Sequence, residues 1–289
     1  MAESQQVTSK SWSSETWARL KKVRAESPLI QCITNFVSMD LMANVLLSAG
    51  ASPAMLHSVT EIPDFTPVVQ AVCVNVGTLT DDWLPSMIAA AKIATKMGKP
   101  WVLDPVAAGA SEFRLRACLE LVEMRPSVIR GNASEIVALS EAAVGRCKLI
   151  EPCEFILVKG TDSSLQSTDA LEVAKALANS SGAVVAVSGA IDIVTDGTRV
   201  LGAKNGVPML QRITATGCSV TALIAAFVAV DPQNTLEATA SALAVFGVAS
   251  ELGMEMAKGP ASLRMHLIDS LYNLDEVNVL NRVKISSLP

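Results

Sequence analysis

Residues 28–55 read PLIQCITNFVSMDLMANVLLSAGASPAM. An apolar, β-branched run at Leu29–Thr34 predicts a strand, the apolar spacing of Ser38–Ala49 predicts a helix, and Ser52–Met55 predicts a second strand. A strand, a crossover helix and a strand form a βαβ unit, whose strands run parallel. The alternation continues along the chain. Strands are expected at Val72–Val76, Trp101–Leu103, Ser127–Ile129, Phe155–Val158 and Val184–Val187. Helices are expected at Asp82–Met97, Glu112–Met124, Ala133–Glu141 and Thr168–Ala178, with Asp81, Asn132 and Thr168 at N-cap positions. Several strands are continuously apolar, as strands covered on both faces are. The order predicts an α/β fold with helices on both sides of a mostly parallel central sheet.

The last third departs from that rhythm. Ile191–Thr195 and Val200–Ala203 flank Asp196-Gly197, a hairpin signal. Helical patterns then fill Thr216–Val230, Leu236–Ala257 and Ala261–Ile268. No linker and no internal repeat divides the chain, so residues 15–289 read as one domain behind a polar, flexible tail, residues 1–14.

Composition narrows the function. Of 289 residues half are hydrophobic and 18% charged, which excludes disordered and collagenous classes. Lys and Arg number 23 against 28 Asp and Glu, a net charge of -5, so no basic field draws nucleic acid or anionic lipid. An anionic ligand must be held by a local site. Mean hydropathy is +0.39, yet the apolar stretch Val220–Val230, closed by Asp231-Pro232, is far shorter than the roughly 20 residues that span a bilayer. The apolar surplus instead suggests subunit contacts. The N-terminus has no apolar signal region, and six scattered cysteines without CxxC spacing read mostly as core thiols in a reducing compartment. The expected location is cytoplasmic.

In open parallel sheets, ligands bind beyond the carboxyl ends of the strands. Polar residues recur there: Thr34-Asn35, Asn75 with Gly77, Asp104-Pro105, Arg130-Gly131-Asn132, Lys159-Gly160-Thr161, Ser188-Gly189 and Asp192. A capping box explains the spacing of Asn132 and Glu135. The same Glu135, beside Arg130 and with Asp104 as partner, also suits Mg²⁺, which keeps its waters and takes one or two carboxylates. Arg130 offers a fork for phosphate oxygens. Ile213-Thr214-Ala215-Thr216-Gly217-Cys218-Ser219 opens the most apolar helix, where free N–H groups attract phosphate and Gly217 permits close approach. Taken alone, it reads slightly better as an ordinary cap rich in Ser and Thr over a buried Cys. At a helix N-terminus Cys218 is expected to have a depressed pKa. No GxxxxGK[ST], no GxGxxG after the first strand and no GxSxG are present, and His57 and His266 lie far apart with no third zinc ligand.

With KPWVLDPVAAGA (Lys99–Ala110), VIRGNASEI (Val128–Ile136), VAVSGAIDIVTDG (Val185–Gly197) and ITATGCS (Ile213–Ser219) added to residues 28–55, the chain resembles the hydroxyethylthiazole kinases of the ribokinase-like superfamily. The resemblance runs from about Pro28 to Ala257. It implies a three-layer αβα fold without a lid domain, and transfer of the ATP γ-phosphoryl group to the primary alcohol of 4-methyl-5-(2-hydroxyethyl)thiazole in thiamine salvage. It implies Mg²⁺ held by Asp104 and Glu135, ATP contacts from Arg130, Ser188 and Asn132, and a thiazole side built from Met55, Asn35, Val37, Gly77 and Ala215. Gly217 and Cys218 match the catalytic anion hole, Cys218 standing where most of the superfamily has an Asp base. A homotrimer with pockets between subunits is implied too. Ala215, where relatives commonly have Gly, calls for a negative φ or some strain. Two other readings fit the same residues: a kinase for another small alcohol, such as a hydroxymethylpyrimidine or a sugar, and a nucleotide-binding regulator without turnover. No inserted lid strands favour the sugar, and the intact Asp104, Arg130, Asn132 and Glu135 set speaks against the regulator.

Overall fold

The structure is a computed structural model that describes residues 2–143 and 166–289. The strands are β1 (Leu29–Ile33), β2 (Ser52–Ala54), β3 (Ala71–Asn75), β4 (Trp101–Asp104), β5 (Val128–Asn132), β6 (Val184–Ser188), β7 (Asp192–Thr195), β8 (Val200–Ala203) and β9 (Ile285–Ser287). The helices are α1 (Ala2–Glu26), α2 (Met39–Ala49), α3 (Ile62–Phe65), α4 (Leu84–Lys96), α5 (Glu112–Glu123), α6 (Ala133–Ala143), α7 (Leu171–Ser181), α8 (Thr216–Val230), α9 (Thr235–Met256), α10 (Pro260–Tyr272) and α11 (Glu276–Arg282). The expected strand Phe155–Val158, the rim residues Lys159-Gly160-Thr161, and Cys147 and Cys153 lie outside the described residues.

The strands join one sheet in the order β2-β1-β3-β4-β5-β6-β7-β8-β9. Every pairing from β2 to β6 is parallel and the three that follow are antiparallel. Strand alternation sorts side chains into two cores. Ile30, Cys32, Ala71, Cys73 and Val102 face the layer of α1, α2, α8, α9 and α10. Val72, Val74, Trp101, Leu103 and Ile129 face the layer of α4 to α7. Both faces are dry, which is why the strands read as unbroken apolar runs. The result is the expected three-layer α/β arrangement with a mostly parallel sheet, and among the described residues every strand belongs to that one sheet. Cys32, Cys73 and Cys118 are free thiols buried in these cores.

Helix α8 is buried on nearly all sides and packs on β3 and β4. Each fully buried Leu, Ile or Phe in such a helix contributes about 1.5–3 kcal/mol. That burial fixes the helix axis against the sheet and so fixes where its N-terminus points.

Several local expectations change. Helix α1 crosses the boundary drawn at residue 14, and Ser13 is buried on it. The N-cap of α4 is Trp83 rather than Asp81, with the Thr80 carbonyl accepting from the Trp83 and Leu84 N–H groups. Thr168 does not cap α7 either: a 3₁₀ turn at Ser167–Ala170 precedes the helix, and Gln166 and Asp169 form its capping box. The hairpin is as expected. Asp196 Oδ1 accepts from the N–H groups of Thr198 and Arg199, and Gly197 takes the left-handed φ of +94° that the turn requires.

Candidate active site

The carboxyl ends of β1, β3, β4, β5 and β6 form one rim, and the N-terminus of α8 arrives over it. The link is direct: Thr221 Oγ1, on the first turn and a half of α8, donates to Asp104 Oδ2 at 2.8 Å. Asn75 Nδ2 donates to the same oxygen at 2.8 Å, since Asn75 and Asp104 are register partners on β3 and β4. Asp104 is 1% exposed, and burial pushes its pKa up, against the opposing pull of Arg130 and these two hydrogen bonds. Among the described residues no donor reaches Oδ1.

Glu135 completes the acidic side. The capping box is present, with Glu135 Oε2 accepting from Asn132 N–H at 2.8 Å and Asn132 Oδ1 from Glu135 N–H at 2.9 Å. Its other oxygen accepts the Ala107 N–H at 2.8 Å. Glu135 is buried, and burial together with the charge of Asp104 pushes its pKa up to about 7. The two carboxylates therefore raise each other's energy, a tension that a cation between them would relieve.

Arg130, midway along β5, sets the phosphate side. Its Nε and Nη2 donate to Ser188 Oγ at 3.0 and 2.5 Å across the β5–β6 pair. Ser188 is followed by a turn that Asp192 holds by accepting the Gly189 N–H at 3.0 Å. Opposite Arg130 lies Gly217: a Cβ there would stand 2.8 Å from Arg130 Nη1. The first turn of α8 thus approaches the guanidinium as closely as a backbone can.

On the third side, Asn35 follows β1. Its Nδ2 donates to Asn75 Oδ1 at 2.7 Å and points at Cys218 Sγ at 3.6 Å. Gly77 must be glycine, because a Cβ would meet Asn35 Nδ2 at 2.5 Å. Val37 N–H bonds Asn35 Oδ1 at 3.0 Å, but the Val37 side chain turns outward and is 58% exposed. Met55 lies just past β2 and packs, partly buried, on the sheet face covered by α8. Val37 is thus exposed at the surface, whereas Met55 packs on the same apolar cluster as Ala215 and Cys218. Phe36, also exposed, stacks at 4.6 Å on Trp83, which lies 4.5 Å from His57.

The expectation for Cys218 is overturned. Burial, followed by the charge of Asp104, pushes its pKa up to about 11, and the amides of Asn75 and Asn35 offset this only in part. A helix N-terminus acts within one turn, and here the lost hydration outweighs it. Cys218 is a thiol at neutral pH. Ala215 takes the strained alternative, with φ +68° in the left-handed region. Thr78 and Ala107, on the loops after β3 and β4, do the same at +42° and +54°. Non-glycine residues in that region cost of order 1 kcal/mol or more, and three of them gather around this site.

The rim thus brings Asp104, Glu135, Arg130, Asn132, Ser188, Asn35, Gly77, Ala215, Gly217 and Cys218 to one place. Thr221 was not legible as a site residue. Its only signal is a hydroxyl one helical turn beyond Gly217 in an otherwise apolar run.

Known proteins match this arrangement. The sequence profile of the Hydroxyethylthiazole kinase family matches residues 20–277. A hydroxyethylthiazole kinase of Arabidopsis thaliana is 65% identical over 277 residues, covering 96% of each chain. The solved structure of a hydroxyethylthiazole kinase protein from Pyrococcus horikoshii superposes with a TM-score of 0.85 at 39% identity, covering 96% of this chain and 100% of that one. A pyridoxal kinase from Staphylococcus aureus, in complex with ADP, shares the fold at a TM-score of 0.60 and 14% identity over 90% of this chain and 98% of its own. By sequence and by fold, the chain belongs to the hydroxyethylthiazole kinase family.

Proposed function

We propose that the chain transfers the γ-phosphoryl group of ATP to the primary alcohol of 4-methyl-5-(2-hydroxyethyl)thiazole, the salvage step of thiamine biosynthesis, where the N-terminus of α8 meets the Asp104–Arg130 rim. The observation that carries this reading is the convergence of three groups at the start of α8: the backbone at Gly217, the Arg130 guanidinium beside it and the buried Asp104 carboxylate bonded to Thr221. Phosphoryl transfer passes through a loose transition state, so alignment and charge neutralisation supply most of the rate.

Arg130, steadied by Ser188, meets the phosphate oxygens, and Asn132 holds the loop beside them. The free N–H groups of the first turn of α8, at Gly217 and Cys218, receive charge as it builds on the transferring group. Ala215 shapes that turn. The donor set fits a hydrated divalent cation, here Mg²⁺: two buried carboxylates, one of whose oxygens, Asp104 Oδ1, meets no donor among the described residues. Asp104 and Glu135 would hold such an ion, which would supply neutralising charge on the phosphates. Cys218, a thiol in the unliganded chain, positions the alcohol beside Asn35. Met55, Val37 and Gly77 border the thiazole. The exposed apolar edge at Phe36 and Val37 supports a homotrimer in which a neighbouring subunit closes that side. Among the described residues no helix is long and apolar enough to cross a membrane.

ATP consumption measured side by side with hydroxyethylthiazole, hydroxymethylpyrimidine and ribose tests the reading. The thiazole alcohol is expected to give a kcat/KM at least tenfold above either competitor, with one ADP per phosphate ester. A preference for either other alcohol, or no turnover of any, refutes it.

A further inference from the structure

Two buried carboxamides stand between the acceptor side of the site and its carboxylate, and their orientations are fixed. An amide has a donor end and an acceptor end, and only partners that cannot reverse decide which way it faces. Backbone N–H groups are such partners. Gly77 N–H donates to Asn75 Oδ1 at 3.0 Å, and the N–H groups of Val37 and Ser38 each donate to Asn35 Oδ1 at 3.0 Å. Both oxygens are thereby committed, and both NH₂ ends point the other way. Asn75 Nδ2 then meets Asp104 Oδ2, while Asn35 Nδ2 meets Asn75 Oδ1 and Cys218 Sγ. Turning either amide over would set like ends against each other at 2.7–2.8 Å and strand a buried N–H, at a cost of about 1–3 kcal/mol for each unmet group. Asn75 is wholly buried and Asn35 nearly so, so water does not rescue the reversed form.

We propose that Asn75 is the positioning residue for the acceptor alcohol. It holds the Asn35 amide with its donor edge towards Cys218, where the hydroxyethyl group arrives, and anchors that edge to Asp104 on the phosphate side. The proposal rests on the thiazole kinase reading and extends it to a residue that touches neither nucleotide contact, Arg130 or Ser188.

A residue that acts through another leaves a signature: removing either gives the same lesion, and removing both adds little. The experiment is a double-mutant cycle on kcat/KM for hydroxyethylthiazole at saturating ATP, with Asn35→Ala, Asn75→Ala and the pair. Each single change is expected to lower kcat/KM roughly 10–100-fold, the size of effect that a misplaced contact produces. The pair is expected to lie within about threefold of the weaker single variant, with the KM for ATP moved less than about threefold throughout. A double loss equal to the product of the single losses overturns the proposal. So does an Asn75→Ala protein that melts earlier but keeps wild-type kinetics. Should Asn75→Ala not fold, Asn75→Ser, too short to span Asn35 and Asp104 together, replaces it in the same cycle. Wild-type protein inactive on the thiazole alcohol defeats the family reading, whereas active wild type with an additive cycle defeats this proposal alone.

Discussion

Asp104→Asn is expected to lower kcat roughly 10³-fold and, in the metal-free protein, to raise the melting temperature. The two effects share one cause. Among the described residues, both hydrogen bonds to this side chain, from Asn75 and Thr221, land on a single oxygen. An asparagine carbonyl accepts both, so the substitution keeps the local geometry. What it removes is the charge. Burial raises the folded-state pKa of Asp104 above its ordinary value. A carboxyl shifted in that direction binds its proton more tightly in the folded than in the unfolded chain, so its ionised form costs stability once the pH exceeds the unfolded value. At neutral pH the amide is spared that cost. The site thus holds a destabilising charge that the chemistry needs. Steady-state kinetics and thermal melting in the presence of a chelator read out both halves. Wild-type turnover, or a lower melting temperature, contradicts the assignment.

Gly217→Ala is expected to lower kcat/KM for ATP about 100-fold while leaving the melting temperature unchanged or higher. Gly217 lies in the first turn of α8 and is not among the left-handed residues. Alanine is a better helix former there by up to about 1 kcal/mol. The new methyl would stand 2.8 Å from Arg130 Nη1 and 3.4 Å from Nη2. These are the ends of a flexible side chain, so the guanidinium swings aside and the fold survives. In doing so it leaves Ser188, and a displacement of about 1 Å in a phosphate contact is enough for a 100-fold loss. Kinetics with ATP varied, set beside a melting curve, separates this from simple misfolding. Wild-type affinity for ATP would show that Arg130 and Gly217 do not share a ligand.

The layout of the sheet was readable because the strands are buried on both faces. Such strands advertise themselves as continuous apolar runs, and the helices between them carry their own spacing. Helices α1 and α11 and strand β9 were missed for the opposite reason. They are more polar and take their place from tertiary contacts, such as Arg24 of α1 donating to the carbonyls of Leu271 and Leu274, near the end of α10. At the site, polar residues in or just beyond the carboxyl-terminal parts of strands were legible by position alone, Asn35, Asp104, Arg130 and Ser188 among them. Thr221 was not, since a Thr in an apolar helix has no local mark of function until the helix is docked. The pKa of Cys218 also escaped sequence reading. Its position at a helix N-terminus argues one way and its burial beside Asp104 argues the other, and burial is a property of the fold.

A crystal structure of the protein with a non-hydrolysable ATP analogue, Mg²⁺ and the thiazole alcohol tests the whole account most directly. The account places the terminal phosphate between the Gly217–Cys218 backbone and the Arg130 guanidinium, with the alcohol oxygen beside Cys218 and Asn35. Phosphates bound elsewhere on the molecule, with only solvent at Gly217 and Arg130, would contradict it.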